Sequence, residues 1–377
     1  MTARETIRLR TVAIGFMLVI LSIMLTLTGV VAFQALRHPP RTLINPDVFK
    51  AENYMYHSDQ KTGWVPRPNT TMVSRTSVQT IVHTDSRGAR VNRLGNDASG
   101  PVDLVTVGCS QAWGQGLPNE ATFTEVLGRK TGMRVANFSV PGYGGVASMI
   151  LLKRKLALHP KVAVYGFWED HLKRNVTRCA AIGGPVCLEM PVVQEDSTGI
   201  PSVRFPNTPD RSMQLTRRWF LETATATEEY RNFLTDFYWS GFQLLRLAQK
   251  ALHVSSEAGA SPSERQDKLM AAKFVLDQMQ QASEAAGARL VVVYIPTYFG
   301  QTIEEAPREM IEFAGQQGIM FVSMARRFRD MKSAGTAIGI PADNHLNAQA
   351  HEAVAEEVIR IMKESNAAQR LSSLRKT

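Results

Sequence analysis

From residue 102 onward, short apolar segments alternate with longer segments of helical periodicity, and this alternation constrains the fold more than any other feature. The apolar segments are VDLVTVG (102–108), MRVANFSV (133–140), KVAVYGF (161–167), RLVVVYIP (289–296) and IMFVSM (319–324). Continuous apolar runs of this length are typical of strands buried on both faces of a parallel sheet, with helices covering each face. The sequence therefore predicts an α/β domain with three layers, α/β/α, around a parallel sheet.

The N-terminal part contains a second strong signal, an uncharged segment at residues 11–36. About 20 apolar residues suffice to cross a bilayer as a helix, whereas the apolar region of a signal peptide is roughly 7–15 residues long. We therefore favour an uncleaved transmembrane helix over a cleavable signal peptide. Three arginines lie within residues 1–10 and two within residues 37–41. This bias predicts a cytoplasmic tail at 1–10 and places the rest of the chain outside, in the periplasm of a Gram-negative cell.

The three cysteines give further information on the compartment in which the chain lies. Cys179 and Cys187 bracket the loop CAAIGGPVC, and in an oxidising compartment such a pair could close a small disulfide ring. The alternative is two unpaired small apolar side chains. A disulfide would agree with the outside location, and it would leave Cys109 unpaired.

The chain between these signals divides into segments. Residues 37–100 form a linker and a strand-rich lead-in, in which two short antiparallel strands are expected on either side of Ser74. The main domain is expected at 101–366, with an insertion at 176–285 and a tail at 367–377. Within the insertion, residues 231–252 and 263–287 have helical patterns, and we interpret the second as the crossover helix into the fourth strand.

The distribution of charge and of potential metal ligands argues against two classes of function, nucleic-acid binding and metal-dependent chemistry. The formal net charge is +9, but the basic residues are scattered, and the longest basic run, Lys153–Lys155, lies inside a helical pattern. Scattered charge of this kind is typical of a solvated surface, so we expect no nucleic-acid partner. Glu169, Asp170 and His171 have the chemistry of metal ligands, but no second cluster stands at a suitable spacing. We therefore expect neither a metal site nor another cofactor.

Polar and glycine-rich sequences follow three of the predicted strands, and a fourth precedes the last helix. They are GCSQ (108–111), SVPGYGG (139–145), GFWEDHLKRN (166–175) and PADNHLNAQAH (341–351). In an open parallel sheet the carboxyl ends of the strands form the ligand site. Together these sequences supply a serine, an Asp/His pair and main-chain N–H groups at glycine turns, which is the inventory for acyl transfer.

The same segments resemble the conserved blocks of the SGNH/GDSL-type hydrolase superfamily, in the branch that has GCS in its first block. VTVGCSQAWGQGLPNEATFTEVLGRKTGMRVANFSVPGYGG is similar to the opening blocks, and DNHLNAQAHEAVAEEV is similar to the last one. The lead-in also resembles a segment that precedes this domain in bacterial members. The resemblance implies a flavodoxin-like core and ester hydrolysis without a cofactor.

Carried over to this sequence, the resemblance implies a catalytic triad. Ser110 would be the nucleophile, His345 the base, and Asp343 the group that orients the base. The main-chain N–H groups of Ser110 and Gly142 would stabilise the oxyanion. Two alternatives remain open: Ser110 could be an ordinary helix N-cap, and His351 is a second candidate base.

One block departs from the family pattern. The third block is usually G-x-N-D, and its Asn completes the oxyanion hole, whereas here Trp168 or Glu169 stands at that position. Asn175, His171 and Arg174 follow within seven residues and could supply the missing donor. Of these we prefer Asn175 or His171.

The sequence thus predicts a membrane-anchored, extracytoplasmic serine esterase that cleaves O-acyl esters, such as acetyl esters, on envelope glycans or lipids. Two alternatives have the same sequence features. One is an O-acyltransferase that uses the same residues. The other is a catalytically silent, carbohydrate-binding module, which the altered third block favours.

Overall fold

The structure is a computed structural model, and it describes residues 22, 56–74, 80–92, 100–180, 187–215, 262–298, 302–341, 343 and 345–374. Apart from Ser22, the predicted cytoplasmic tail (1–10) and transmembrane helix (11–36) lie outside these residues, as does the predicted helix at 231–252. No helix among the described residues combines the length and the apolar character needed to cross a bilayer. The described residues from 56 onward belong to one compact unit, Val48–Trp219 with Ala260–Thr377.

The strands are β1 (Tyr56–Asp59), β2 (Gly63–Pro66), β3 (Thr71–Ser74), β4 (Thr80–Thr84), β5 (Arg90–Val91), β6 (Leu104–Gly108), β7 (Val135–Asn137), β8 (Val162–Trp168), β9 (Cys179–Ala180), β10 (Leu188–Glu189), β11 (Val192–Glu195), β12 (Pro201–Arg204), β13 (Arg289–Ile295) and β14 (Met320–Ser323). The α-helices are α1 (Ser110–Trp113), α2 (Phe123–Thr131), α3 (Gly145–Lys155), α4 (His171–Arg174), α5 (Pro262–Ala285), α6 (Arg308–Gln316), α7 (Ala325–Ser333) and α8 (Ala348–Leu374).

Eight of the strands form one sheet, in the order β14-β13-β8-β6-β7-β5-β4-β3. The five predicted strands are parallel, and in chain order they follow the flavodoxin-like arrangement 2-1-3-4-5. The sheet as a whole is mixed, which corrects the expectation of a parallel sheet. The lead-in strands extend it in antiparallel fashion, because Arg90 pairs with Asn137 at the edge that β7 leaves open.

Two hydrophobic clusters cover the two faces of the sheet. Alternate residues of the same strand belong to opposite clusters, as Leu104 and Val105 of β6 do. Helices α3, α5 and α6 pack on one face, and α2, α7 and α8 pack on the other. The domain therefore has the expected three layers.

The insertion begins with two small antiparallel pairs, β9 with β10 and β11 with β12. Cys179 and Cys187 form a disulfide, with their Cα atoms 5.0 Å apart, across the first pair. Helix α5 then crosses back to β13, as the pattern at 263–287 predicts. At the other end of the chain, α8 continues to Leu374, so residues 367–374 of the predicted tail are helical. No glycine or proline between 348 and 374 ends this helix.

Candidate active site

Ser110 lies where the β6 strand turns into helix α1, and it is the first residue of that helix. Gly108 and Gly166 are paired neighbours in β6 and β8. A Cβ atom on either of them would lie 2.6–2.7 Å from the Cβ of Ala112, which is closer than side chains can approach. The two glycines therefore let α1 rest directly on the sheet, with its first residue at the carboxyl edge.

The structure brings the three predicted triad residues together. His345 Nε2 lies 2.9 Å from Ser110 Oγ, and His345 Nδ1 lies 2.5 Å from Asp343 Oδ1. Ser110 is 8% exposed and the His345 side chain 20%, so the pair is open to a substrate at one end while Asp343 is more deeply buried. In this geometry the imidazole can take a proton from the serine hydroxyl while the carboxylate orients the ring.

The loop that holds His345 is fixed by main-chain hydrogen bonds. Asp343 N donates to Ile340 O (3.0 Å), and Ile340 N donates to His345 O (2.9 Å). The next amide, Leu346 N, donates to Gln111 Oε1 (3.1 Å). Because Gln111 follows Ser110 directly, this bond ties the nucleophile and the base to each other.

An arginine from the lead-in supports the same short helix. Arg90 is 1% exposed and donates to the carbonyls of Trp113 (2.6 Å), Gly114 (2.7 Å) and Leu117. Burial lowers the pKa of the Arg90 guanidinium to about 10, so the group remains a cation at neutral pH. The buried charge therefore holds the end of α1 and the loop that follows it.

Gly142 lies in a turn directly after the β7 segment. Tyr143 N donates to Val140 O (3.2 Å), and Gly142 has a φ angle of 86°, as expected for the third residue of a type II turn. Trp64 of the lead-in fixes this turn, because its Nε1 donates to Pro141 O (3.3 Å) and its ring packs edge-on against Tyr143. The half-buried Gly142 amide is thus presented beside the end of β6.

The second candidate base, His351, has a different role. Its side chain is fully buried on α8, and its Nδ1 accepts a hydrogen bond from Phe123 N (2.9 Å), the first amide of α2. Burial lowers the pKa of His351 to about 3, so the ring is neutral. His351 therefore joins two helices and does not contact Ser110.

The two residues preferred as the third oxyanion donor are fully buried. Asn175 and His171 are both 0% exposed. Asn175 Oδ1 accepts from Gly145 N (2.7 Å), and His171 Nδ1 pairs with the Tyr165 hydroxyl (2.8 Å). Glu169 is also engaged, since its carboxylate accepts from Thr297 N (2.7 Å).

Two further kinds of site can be considered among the described residues, a cysteine nucleophile and a metal site. Cys109 adjoins Ser110 but is fully buried, and burial raises the pKa of its thiol, which disfavours the nucleophilic thiolate. Within the described part of the chain, no group of three or more His, Cys, Asp or Glu side chains could hold a metal ion.

Three supporting residues could not have been identified as parts of the site from the motifs alone: Arg90, Gln111 and Trp64. Gln111 had the clearest signal, because it is a polar residue beside the nucleophile in an otherwise small, apolar turn. Arg90 and Trp64 lie in the lead-in, and nothing in their neighbouring residues indicates that they contact the loops around Ser110.

The fold and the site together combine five parallel strands in the order 2-1-3-4-5 with Ser110, His345 and Asp343 in hydrogen-bond contact near the carboxyl edge, the arrangement that the resemblance to SGNH/GDSL-type hydrolases implies. Several esterases, lipases and acylhydrolases of known structure are similar to the chain. TesA is 15% identical, with a TM-score of 0.35, over 69% of this chain and 98% of TesA. The psychrotrophic esterase EstA from Pseudoalteromonas sp. is 12% identical, with a TM-score of 0.35, over 70% of this chain and 99% of EstA.

A GDSL-like lipase from Bacteroides thetaiotaomicron is 10% identical, with a TM-score of 0.30, over 69% of this chain and 88% of the lipase. Neither a protein-family model nor a curated protein matches the sequence. The function proposed below rests on the contacts among Ser110, His345 and Asp343.

Proposed function

We propose that the protein is a serine esterase that hydrolyses O-acyl esters through an acyl-enzyme formed on Ser110. One observation supports this above all others, the continuous hydrogen-bonded chain from Ser110 through His345 to Asp343. The three groups come from two loops more than 230 residues apart in sequence. A serine that served only to cap a helix would not require an imidazole and a carboxylate aligned behind it; moreover, the N-cap position here belongs to Cys109.

The reaction follows from these contacts. Ser110 Oγ attacks the ester carbonyl carbon while His345 Nε2 takes the hydroxyl proton, and the carbonyl oxygen becomes an oxyanion. When the intermediate collapses, the alcohol leaves with the proton from His345, and the acyl group stays on Ser110. A water molecule then attacks the acyl carbon and gives its proton to His345. Release of the carboxylic acid returns the proton to Ser110 Oγ.

Preorganised donors would stabilise the oxyanion at the end of β6. Ser110 follows β6 and Gly142 follows the neighbouring strand β7, and Val140 N donates to Gly108 O (2.9 Å) between the two segments, so we expect both amides to donate to the same acyl oxygen. Donors of this kind contribute about 3–4 kcal/mol each to lowering the barrier. Asp343 keeps the Nδ1–H of His345 pointed away from the serine and stabilises the imidazolium that forms.

For location and substrate we propose an extracytoplasmic enzyme, anchored by residues 11–36, that acts on acylated envelope glycans or lipids. The Cys179–Cys187 disulfide supports this location, since disulfides persist in oxidising compartments. The short N-terminal arginine bias supports the same orientation. A sugar hydroxyl could replace water in the second step, and the enzyme would then be an O-acyltransferase with the same residues.

The test is hydrolysis of p-nitrophenyl acetate by the full-length protein in detergent micelles. We expect Ser110→Ala to lower kcat by about 10⁴-fold or more, and Asp343→Asn by about 10⁴-fold, with little change in the melting temperature. Ser283→Ala is the matched control, because Ser283 is also buried but lies on α5. Equal activity of the wild type and Ser110→Ala would contradict the proposal. Product analysis with a soluble oligosaccharide as acceptor then separates transfer from hydrolysis.

A further inference from the structure

Arg174 joins the loops that follow the two strands on either side of β6, the strand that leads to Ser110. In the sheet, β6 stands between β7 and β8. Arg174 ends helix α4, which follows β8, and its Nη1 donates to Tyr143 O (3.0 Å) in the turn that follows β7. The guanidinium therefore reaches from the loop after one flanking strand to the loop after the other. The strand β6, which leads to Ser110, ends between these two loops.

The glycines of the PGYGG turn make this approach possible. A Cβ atom on Gly144 would lie 2.8 Å from Arg174 Cβ and 3.3 Å from its main-chain carbonyl. A Cβ atom on Gly145 would lie 2.7 Å from Asn175 Oδ1. The end of α4 thus packs directly against the turn that contains Gly142. This contact brings Arg174 to the same turn as the proposed oxyanion amide.

The guanidinium is also held in one orientation. Arg174 Nε donates to Asp170 Oδ2 (2.7 Å), and its Cζ lies 4.8 Å from the ring centroid of Trp168. Trp168 is one of the two residues, with Glu169, that the resemblance places at the asparagine position of the third block. Within the described residues, no acceptor lies at hydrogen-bonding distance from the remaining nitrogen, Nη2. Nη2 of Arg174 can therefore donate a hydrogen bond to a ligand. Because the guanidinium is already held in place, this bond costs little conformational entropy.

Accessibility distinguishes Arg174 from the other candidates. Its side chain is 21% exposed, whereas Asn175 and His171 are completely buried. The positive charge of Arg174 also acts on Cys109, the residue before the nucleophile. Burial raises the pKa of the Cys109 thiol, and the electrostatic interaction with Arg174 lowers it. A fixed cation at this place favours any negative charge that develops beside Ser110.

We propose that Arg174 completes the oxyanion hole, with its guanidinium in the role that the asparagine amide of the third block has elsewhere. As Ser110 Oγ bonds to the acyl carbon, the C=O electron pair moves to oxygen, and Arg174 donates a hydrogen bond to that oxyanion without giving up its proton. When the C=O bond re-forms and the alcohol leaves, the hydrogen bond weakens again. This inference rests on the proposed esterase function.

The test compares Arg174→Gln and Arg174→Lys with the wild type, with p-nitrophenyl acetate as a neutral substrate. We expect Arg174→Gln to lower kcat by about 10²–10³-fold with KM changed less than threefold, because an oxyanion donor acts in the transition state. Arg174→Lys keeps the charge but loses the fixed fork, so a smaller loss of about tenfold is expected. Arg308→Gln is the matched control, since Arg308 is 88% exposed and forms its ion pair with Glu312 of the same helix.

Several results would overturn the inference. One is a kcat within threefold of the wild type in a folded Arg174→Gln protein. Another is a loss seen only in KM, and only for an ester that bears a carboxylate, which would make Arg174 a binding group for an anionic substrate. If Arg174→Gln does not fold, an unchanged kcat in Arg174→Lys would overturn the inference instead. A wild type without Ser110-dependent activity would refute the esterase function itself, so the two failures are distinguishable.

Discussion

Replacing Arg90 by methionine tests whether the lead-in segment is a structural part of the active site. The guanidinium makes three hydrogen bonds to main-chain carbonyls at the end of α1 and in the loop that follows it. Hydrogen bonds to charged groups contribute about 1.5–3 kcal/mol each to stability with desolvation included, so the three together contribute roughly 4.5–9 kcal/mol. Methionine offsets part of this loss, because burial of its side chain contributes about 1.5–3 kcal/mol. The low end of each range gives an expected net loss of about 3 kcal/mol in the free energy of unfolding.

The assay is thermal unfolding of the full-length protein in detergent at pH 7, followed by near-ultraviolet circular dichroism. For a domain of this size a loss of about 3 kcal/mol lowers the melting temperature by roughly 6–12 °C. The exposed variant Arg308→Met is the control, and its surface ion pair should contribute no more than about 0.5 kcal/mol. If Arg90→Met and Arg308→Met unfold within about 1 °C of each other, the reasoning about the buried cation is refuted.

Two other predictions follow from single contacts. His351 has a folded-state pKa of about 3, below its ordinary 6.5, so the unfolded chain binds the extra proton and stability falls as the pH drops below 6.5. Between pH 6.5 and 5 the free energy of unfolding should fall by about 2 kcal/mol for this reason. The variant His351→Asn keeps an acceptor for Phe123 N and should lose that part of the pH dependence in denaturant titrations. An equal change of the free energy of unfolding with pH in both proteins would contradict the conclusion that His351 is buried as a neutral ring. Gln111→Met removes the acceptor of Leu346 N and should lower kcat for p-nitrophenyl acetate by about 10–100-fold with KM little changed, because a small displacement of His345 misaligns the base. Wild-type kcat in a folded Gln111→Met protein would show that this bond does not position the base.

The central part of the fold follows directly from local sequence. The β6, β8 and β13 segments are buried on both faces, and such positions require the continuous apolar runs from which they are predicted. The antiparallel extension of the sheet is different, because β5 is only two residues long and shows no periodicity. Its pairing depends on the free edge of β7, which is a tertiary feature.

The candidate site likewise contains residues that the local sequence predicts and residues that it does not. Ser110, Asp343 and His345 can be selected because their residue types and order match a known chemistry. Which member of the DHLKRN segment stays partly exposed cannot be predicted, because a four-residue helix gives no hydrophobic pattern to orient it. Burial of His171 and Asn175 and partial exposure of Arg174 are decided by packing against Tyr165 and the glycine turn.

The most direct test of the account is the site of covalent modification by a fluorophosphonate. The reagent reacts with an activated serine hydroxyl and requires the base behind it. After labelling of the full-length protein and peptide mass spectrometry, we expect a single adduct on Ser110, at least 100-fold slower to form in Asp343→Asn and absent in Ser110→Ala. An adduct on another serine, or labelling of Ser110 at the same rate in Asp343→Asn, would contradict the claim that Ser110, His345 and Asp343 act as one catalytic unit.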